Sequence, residues 1–351
     1  MIDSIKPPKK IKISGMRRIK ENRKTKMLVI GLIVLILIIP GFYLFKTGLA
    51  FSKIITIKNI SWEKIFGKLP ASEFVPEKDE DRINVLLLGI RGEEDINGGL
   101  LSDGIMIVSF KKSTGQVALI SIPRDLYLQF PGESKYEKIN AAYVVGLEKY
   151  DNGLDYAKKT ISYISDLYID YAAVINFESF KDIIDLLGGI TIHLDNPFIE
   201  EKQWFCDESG ENCTPFVIEA GDQVLNGEKA LLYSRSRFSS NDFDRARRQQ
   251  QVLLALKDKI LSLGILKDPL KIGGILDVLS KNLRTDVSPW EMPGLVELAK
   301  TANMNKINKI VFESSEHGLL YETKINGIYV LLPTEGNFSK IREACKSIFE
   351  L

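Results

Sequence analysis

Histidine and cysteine are scarce in this chain of 351 residues, which holds two histidines and three cysteines. Two histidines are too few for a His-rich zinc site, and the zincin motif H-E-x-x-H does not occur. The chain also lacks a G-x-x-x-x-G-K-[ST] phosphate loop and a G-x-S-x-G nucleophile elbow. These absences argue against a zincin, a P-loop enzyme and a serine hydrolase.

Two of the three cysteines lie close together in the sequence. Cys206 and Cys213 flank a polar loop that contains glycine. In an oxidising compartment they could form a small disulfide, although the spacing alone leaves open whether they do. Cys345 would then remain single, and we expect it to be buried.

The charge of the chain is nearly balanced overall, at +1, but it is unevenly distributed. Residues 1–26 carry ten basic and two acidic residues, a balance of +8, which leaves −7 for the rest. Residues 27–45 contain no charged side chain and are long enough to cross a bilayer core of roughly 30 Å. The basic flank predicts a single-pass cell-membrane protein with a cytoplasmic N-terminus and an extracellular C-terminal domain. A cleaved signal peptide is the alternative, which the length of the apolar run disfavours.

Beyond the predicted membrane span, apolar runs typical of strands alternate with segments of helical periodicity. This alternation predicts an α/β fold, with a mixed central sheet flanked by helices and preceded by one N-terminal transmembrane helix. The predicted strands are residues 83–90, 105–110, 117–122, 171–175, 190–194, 310–312 and 328–332, and the predicted helices are 140–150, 154–164, 177–187, 244–263, two within 270–302, and 338–349. The predicted parts are a basic cytoplasmic tail (1–26), a transmembrane helix (27–45), a juxtamembrane stalk (46–81), a catalytic α/β domain (82–263) and a C-terminal extension of helices and strands that packs on it (264–351).

Arginine is concentrated in one short segment of the predicted domain. Five arginines lie between residues 235 and 248, beside Asp242 and Asp244. Guanidinium groups at this density suit the recognition of phosphate oxygens, and the aspartates could hold a divalent metal against the same phosphates. Because the exported part is acidic overall, the cluster predicts a local site for phosphoryl chemistry and no nucleic-acid partner.

The start of the helix predicted after this segment presents polar side chains on one face. Asp242, Arg245 and Gln249 are spaced i, i+3 and i+7. Asp242 could instead serve only as a helix cap. Arg247 and Arg248 could simply be solvated.

Two further candidates follow predicted strands, where α/β sheets place ligands. Asp103 lies in Leu-Ser-Asp-Gly and Arg124 in Ile-Pro-Arg-Asp. The alternatives are a turn residue for Asp103 and a weak surface salt bridge with Asp125 for Arg124.

The order of these motifs between residues 84 and 263 resembles the LytR-CpsA-Psr family of bacterial cell-envelope proteins. The resemblance rests on the following segments: Asn84-Val85-Leu86-Leu87-Leu88-Gly89, Ser102-Asp103, Ser121-Ile122-Pro123-Arg124-Asp125, Lys138-Ile139-Asn140-Ala141-Ala142-Tyr143, Leu187-Gly188-Gly189-Ile190, residues 221–231, Ser234-Arg235-Ser236-Arg237, and the set Asp242, Arg245 and Gln249. The resemblance implies an α/β core with a long apolar pocket for a polyprenyl chain. It also implies a membrane-anchored phosphotransferase that moves a glycopolymer from a polyprenyl-pyrophosphate carrier to peptidoglycan or another envelope acceptor, using Mg²⁺ or another divalent cation.

The resemblance further implies roles for individual residues. Two aspartates correspond to metal ligands, and four arginines and a glutamine correspond to catalytic and substrate-binding residues: Asp103 and Asp242, then Arg124, Arg235, Arg237, Arg245 and Gln249. We hypothesise that Mg²⁺ and the arginines stabilise the charge that builds up on the leaving polyprenyl phosphate, and that Asp103 or Asp125 accepts the proton of the acceptor hydroxyl.

Three positions depart from the family pattern. Arg91 stands where many relatives carry an acidic residue, Leu101 where they carry arginine, and Gly104 where they carry threonine. These departures favour an alternative function, a non-catalytic protein that binds polyprenyl-linked glycans in the cell envelope.

Overall fold

The computed structural model describes residues 76–93, 95, 99–206, 213–264, 275, 283–288, 290–303, 307–315 and 318–350. The predicted tail and transmembrane helix, and almost all of the predicted stalk, lie outside these ranges. Within them, no helix is both long enough and apolar enough to cross a membrane.

The described residues form fourteen strands and seven α-helices. In chain order these are β1 (Arg82–Ile90), β2 (Ser102–Lys111), β3 (Val117–Ser121), β4 (Tyr127–Gln129), β5 (Tyr136–Lys138), α1 (Ala142–Tyr150), α2 (Gly153–Ser165), β6 (Tyr171–Asn176), α3 (Phe177–Leu186), β7 (Ile190–Leu194), β8 (Phe198–Cys206), β9 (Cys213–Ile218), β10 (Gly221–Leu225), α4 (Gly227–Arg235), α5 (Asp242–Ser262), β11 (Arg284–Thr285), α6 (Met292–Thr301), β12 (Ile307–Val311), β13 (Leu320–Ile325), β14 (Ile328–Pro333) and α7 (Ser339–Lys346).

The central sheet has six strands in the order β11-β6-β1-β2-β3-β12. The pairs β1/β6 and β3/β12 are parallel, whereas β1/β2, β2/β3 and β6/β11 are antiparallel. This topology confirms the predicted mixed α/β sheet. Both edge strands come from residues after 264, so the C-terminal part of the chain completes the sheet.

The two faces of β1 meet different surroundings. Leu86, Leu88 and Ile90 belong to the main apolar core, together with Tyr156 and other residues of α2. The intervening positions, including Leu87 and Gly89, are only half-buried, and both line a cavity. An apolar run with both faces covered is typical of a central strand, but here one covered face borders a hollow instead of a packed layer.

The helices α1 and α2 approach each other closely on the core side of the sheet. A Cβ placed on Gly146 of α1 would lie 2.5 Å from Cβ of Tyr156 and 2.9 Å from the carbonyl oxygen of Asn152. A side chain at position 146 would therefore force the two helices apart.

Several short elements were not predicted from the sequence, among them the hairpins β4/β5 and β8/β9 and the helix α4. Of the two helices predicted within 270–302, α6 is present, and the earlier one falls mostly outside the described ranges. In the β8/β9 hairpin, Cys206 lies opposite Cys213, and Cys213 is disulfide-bonded. Cys345 is free and buried, as expected.

Candidate active site

An apolar cavity of about 560 Å³ lies against the half-buried face of β1. Side chains from β1 and β6 and from the helices α3, α4 and α5 line it. The apolar residues that line it include Leu87, Ala173, Ile175, Phe177, Phe180, Ile183, Leu231, Leu232, Val252, Leu253 and Leu256. A hollow of this size with apolar walls suits a hydrocarbon ligand.

Charged residues gather beside this cavity, at one end of the central strands β1, β2 and β3. Arg91 follows β1, Asp103 begins β2 and Arg124 follows β3. Because β2 runs antiparallel to both of its neighbours, these three positions meet at the same edge. The first turn of α5 adds Asp242 and Arg245 to the cluster through their contacts with Arg124 and each other.

Asp103 lies between two guanidinium groups. Its Oδ1 accepts from Nη1 of Arg124 at 2.5 Å, and its Oδ2 accepts from Nε of Arg91 at 3.1 Å. Burial alone would raise the pKa of this carboxyl, but Arg124 and Arg91 hold it below its ordinary value. Asp103 is therefore an ionised anchor for arginines, and the turn-residue alternative is wrong because the residue belongs to β2.

Arg124 links the two predicted metal-site carboxylates. Besides Asp103, its Nε contacts Oδ2 of Asp242 at 3.3 Å, and Asp125 lies further away at 3.6 Å. The side chain is only 16% exposed. Burial would lower the pKa of the guanidinium, but the aspartates around it raise it above its ordinary value. Arg124 does pair with Asp125, but this contact is largely buried and is the longest of the three, so it is not a surface salt bridge. The carboxylate of Asp125 is also held by Lys138 at 2.6 Å.

The helix α5 begins at Asp242, two residues earlier than predicted, and Asn241 caps it. The side chain of Asn241 accepts from the backbone N–H groups of Phe243 and Asp244. Because Asn241 performs the capping, the carboxylate of Asp242 is available to the arginines, and the capping-only interpretation is wrong.

Arg245 is the most buried arginine of the cluster, at 6% exposure. Both of its terminal nitrogens lie 3.5 Å from carboxylate oxygens of Asp242. Its Nε is buried and has no hydrogen-bond partner among the described residues. Burial lowers the pKa of this guanidinium, and Asp242 only partly opposes the effect. A buried, incompletely paired cation beside a cavity indicates a site that an anion would complete.

Arg235, Arg237 and Gln249 also line the cavity. Arg235 and Arg237 are exposed, and the guanidinium of Arg235 lies 4.4 Å from the ring centre of Phe177. A Cβ on Gly104 would lie 3.2 Å from Oε1 of Gln249, so the glycine lets this amide approach β2. All seven residues predicted for the site thus lie in one cluster.

Two arginines behave differently from the prediction. Arg248, for which solvation was the alternative to a role at the site, is buried at 8% exposure. It donates to the carbonyl oxygens of Tyr233 and Ser236 and to Oγ of Ser240, and so it braces the loop between α4 and α5. Arg91 stands out in the sequence only as a departure from the family pattern, yet it lines the cavity and contacts Asp103. Its place where relatives carry an acidic residue, directly after a strand, was the signal that it lies at the site.

The donor set at this edge suits Mg²⁺ only in part. Asp103 and Asp242 are the right kind of ligand, but each of their four carboxylate oxygens faces a guanidinium nitrogen within 3.5 Å. Within the described ranges, no group of three or more acidic, histidine or cysteine side chains could hold a metal. Mg²⁺ is commonly held by one or two protein carboxylates together with substrate phosphates. The residues therefore fit this ion when phosphate oxygens complete its coordination.

The chain thus combines a mixed sheet, a cavity with apolar walls and an arginine cluster at the ends of the central strands, which is the architecture that the family resemblance implied. The model of the LytR_cpsA_psr family matches residues 53–347, and the chain belongs to this family.

Individual relatives agree with this assignment. The chain is 30% identical over 336 residues to the polyisoprenyl-teichoic acid–peptidoglycan teichoic acid transferase TagU of Bacillus licheniformis, covering 94% of this chain and 98% of the relative. The crystal structure of Bacillus subtilis TagV matches with a TM-score of 0.59 at 26% identity, over 78% of this chain and 98% of that one. A structure described as TagT bound to LI-WTA matches with a TM-score of 0.57 at 25% identity, over 79% and 95% of the two chains.

Proposed function

We propose that this protein transfers a teichoic-acid-like glycopolymer from a polyprenyl-pyrophosphate carrier to peptidoglycan or a similar envelope acceptor. The observation that carries the proposal is the incompletely paired Nε of the buried Arg245 beside a cavity with apolar walls. A ligand that satisfies both features is anionic at one end and hydrocarbon along the rest. The relatives named above, whose names give polyisoprenyl-teichoic acid and peptidoglycan, act on substrates of this chemistry.

The binding mode follows from the arrangement of charges. The prenyl chain would occupy the cavity between the sheet and the helices α3 to α5, and the pyrophosphate would face the arginines at the sheet edge. Arg124 and Arg245 lie deep in the cluster, whereas Arg235 and Arg237 are exposed. The deep pair would grip the phosphate oxygens in a poorly hydrated setting, where charge-assisted hydrogen bonds are strong. The exposed pair would meet the phosphate that bears the glycan.

The proposed reaction exchanges a phosphoanhydride bond for a phosphoester bond. The oxygen of an acceptor hydroxyl forms a bond to the phosphorus that carries the glycan, and the bond from that phosphorus to the bridging oxygen breaks. Polyprenyl phosphate leaves with the electron pair, and the arginines stabilise the charge that it gains. A loose transition state needs little activation of the nucleophile. Asp125, whose carboxylate is not among the proposed metal ligands, would therefore suffice to accept the hydroxyl proton.

Divalent-cation dependence is part of the proposal. Asp103 and Asp242 would hold Mg²⁺ together with the pyrophosphate, and the ion would neutralise charge on the phosphate oxygens. The arginines of the cluster orient the same oxygens, so the cation and the guanidinium groups act on one group of atoms.

A turnover assay tests the proposal and its rival together. Full-length protein is incubated with a polyprenyl-pyrophosphate glycan, a peptidoglycan acceptor and Mg²⁺, and the release of polyprenyl phosphate is measured. We expect release that depends on the acceptor and falls about ten-fold or more in Arg124→Ala, since a charge-assisted contact contributes roughly 1.5–3 kcal/mol. Tight binding of the glycan carrier with no release would favour the non-catalytic binding protein instead.

We also propose that residues 27–45 anchor the protein in the cell membrane, with residues 1–26 in the cytoplasm and the α/β domain outside. The uncharged run and its basic flank support this topology. Protease added to intact cells should then degrade the domain and spare the N-terminal tail, as probed with tags at both termini. Protection of a C-terminal tag would reverse the orientation.

A further inference from the structure

Arg91 occupies a central place in the cluster. Its Nε donates to Oδ2 of Asp103 at 3.1 Å, and its Nη1 lies 3.6 Å from Oδ2 of Asp95. Its backbone N–H bonds to the carbonyl oxygen of Gly99, which fixes the start of the loop after β1. The side chain lines the cavity and is 29% exposed, so its guanidinium can be reached by a ligand in the cavity.

Arg91 and a metal ion compete for the same carboxylate. Asp103 already meets Arg124 through one oxygen, so Arg91 gives this single carboxylate a second cationic partner. A divalent cation that approaches Asp103 must displace a guanidinium and face the repulsion of the other. The ion pairs therefore weaken metal binding in the absence of substrate.

A pyrophosphate group changes this balance because it offers the arginines other anionic oxygens. Arg91 and Arg235 line the same cavity, so their guanidinium groups face the same ligand space. Two neighbouring guanidinium groups of like charge are suited to share one multiply charged anion. When Arg91 turns to such an anion, Oδ2 of Asp103 becomes free for a cation.

We infer that Arg91 is a pyrophosphate-binding residue that makes cation binding depend on the presence of the lipid-linked substrate. The inference rests on the proposed function and adds the order of events: the carrier enters first, and the cation is held firmly only afterwards. Such coupling is reciprocal, so the cation must also tighten the carrier.

The test compares full-length wild type with Arg91→Gln, which removes the charge but keeps hydrogen-bonding groups. Arg247→Gln is the matched control, because Arg247 loses the same charge near the cluster but is half exposed and pairs with Asp244 and Glu313 on the outer side of α5. Mn²⁺ binding is followed by paramagnetic resonance, with and without farnesyl pyrophosphate as the probe. Binding of the probe is also measured in excess chelator.

Without the probe, we expect Arg91→Gln to bind Mn²⁺ about ten-fold more tightly than wild type, because one repelling charge is gone. In chelator, it should bind farnesyl pyrophosphate about ten-fold more weakly, since it has lost one charge-assisted contact. The factor by which the probe tightens Mn²⁺ binding should shrink accordingly. Arg247→Gln should match wild type in all three measurements, and Mn²⁺ complexes of the free probe affect every variant equally.

Arg91→Lys provides a second variant that keeps the charge. It should retain the weak Mn²⁺ binding of wild type while losing part of the affinity for the probe. If Arg91→Gln binds both Mn²⁺ and the probe as wild type does, the inference is refuted while the proposed function stands. If wild type binds no farnesyl pyrophosphate at all, the proposed function itself fails.

Discussion

Replacing Arg245 by methionine should make the protein more stable and nearly inactive. Arg245 is buried, its Nε lacks a partner among the described residues, and its contacts with Asp242 are long, at 3.5 Å. A buried polar group without a partner costs about 1–3 kcal/mol, and a long ion pair returns about 1 kcal/mol or less. A methionine side chain reaches about as far as the arginine Nε and so fills the apolar part of the site, and Asp242 keeps its contact with Arg124. We therefore expect stability to rise by about 1 kcal/mol.

The expected gain corresponds to an increase in melting temperature of roughly 2–4 °C for a domain of this size. The rate of transfer should nevertheless decrease by about ten-fold to a hundred-fold, because a charge-assisted phosphate contact contributes about 1.5–3 kcal/mol. Differential scanning calorimetry and the polyprenyl phosphate release assay give the two values on the same preparation. Arg245→Lys should recover little activity, since a lysine cannot grip two oxygens at once.

The matched control for this prediction is Arg247→Met, two residues further along α5. Arg247 is half exposed and bonded to Asp244 and Glu313, away from the cavity. It should leave transfer unchanged and stability slightly lower or the same. If Arg245→Met were less stable than wild type and fully active, Arg245 would be a structural residue and the reasoning from its unpartnered Nε would be refuted.

Three further predictions concern stability. Gly146→Ala should destabilise the protein by about 2–3 kcal/mol in denaturant unfolding, because α1 and α2 leave no room for a Cβ. As the control, Gly294→Ala in the exposed α6 should stabilise it by about 0.5–1 kcal/mol, and equal effects of the two substitutions would contradict the close packing. Burial lowers the pKa of Lys159 to about 8, so the unfolded chain binds more protons than the folded one between about pH 8 and the ordinary lysine pKa. Lys159→Met should therefore be more stable than wild type by about 2 kcal/mol at pH 7, and this difference in stability should vanish as the pH rises toward about 10. The lowered pKa of Asp103 stabilises the fold above its ordinary value of about 4, and this stabilisation is lost as the pH falls through the folded value. Asp103→Asn should therefore be less stable than wild type by about 1–2 kcal/mol at pH 7, and the difference should shrink as the pH falls below the ordinary value; a constant difference across pH would contradict this account.

Most of the sheet and the composition of the site could be predicted from the sequence. The strands β1 to β3 have apolar runs that end in turn residues, and the candidates Asp103 and Arg124 lie at their ends. Because neighbouring strands meet at one edge, residues far apart in sequence could be expected to converge there. The helical spacing of Asp242, Arg245 and Gln249 likewise placed them on one face of α5.

Other features depend on distant contacts that no local pattern reveals. The burial of Arg248 arises from the loop between α4 and α5, which folds back to give its guanidinium three oxygen partners. Arg91 reaches Asp103 only through the course of the loop after β1. The cavity was expected only from the family resemblance and could not be predicted from composition, because a leucine that faces a cavity cannot be told in the sequence from a leucine that faces a packed core. The hairpin β8/β9 was missed since its strands carry several exposed polar residues.

The pairing of β12 with β3 bears on the order in which the chain can fold. Residues 117–121 pair in parallel with residues 307–311, so this partner strand is synthesised long after β3. A chain that emerges N-terminus first must keep one side of β3, just before Arg124, unpaired until residues 307–311 have been made. A chain truncated before residue 307 would therefore expose an unpaired strand beside Arg124, and pairing of that strand with other chains would compete with the completion of the site.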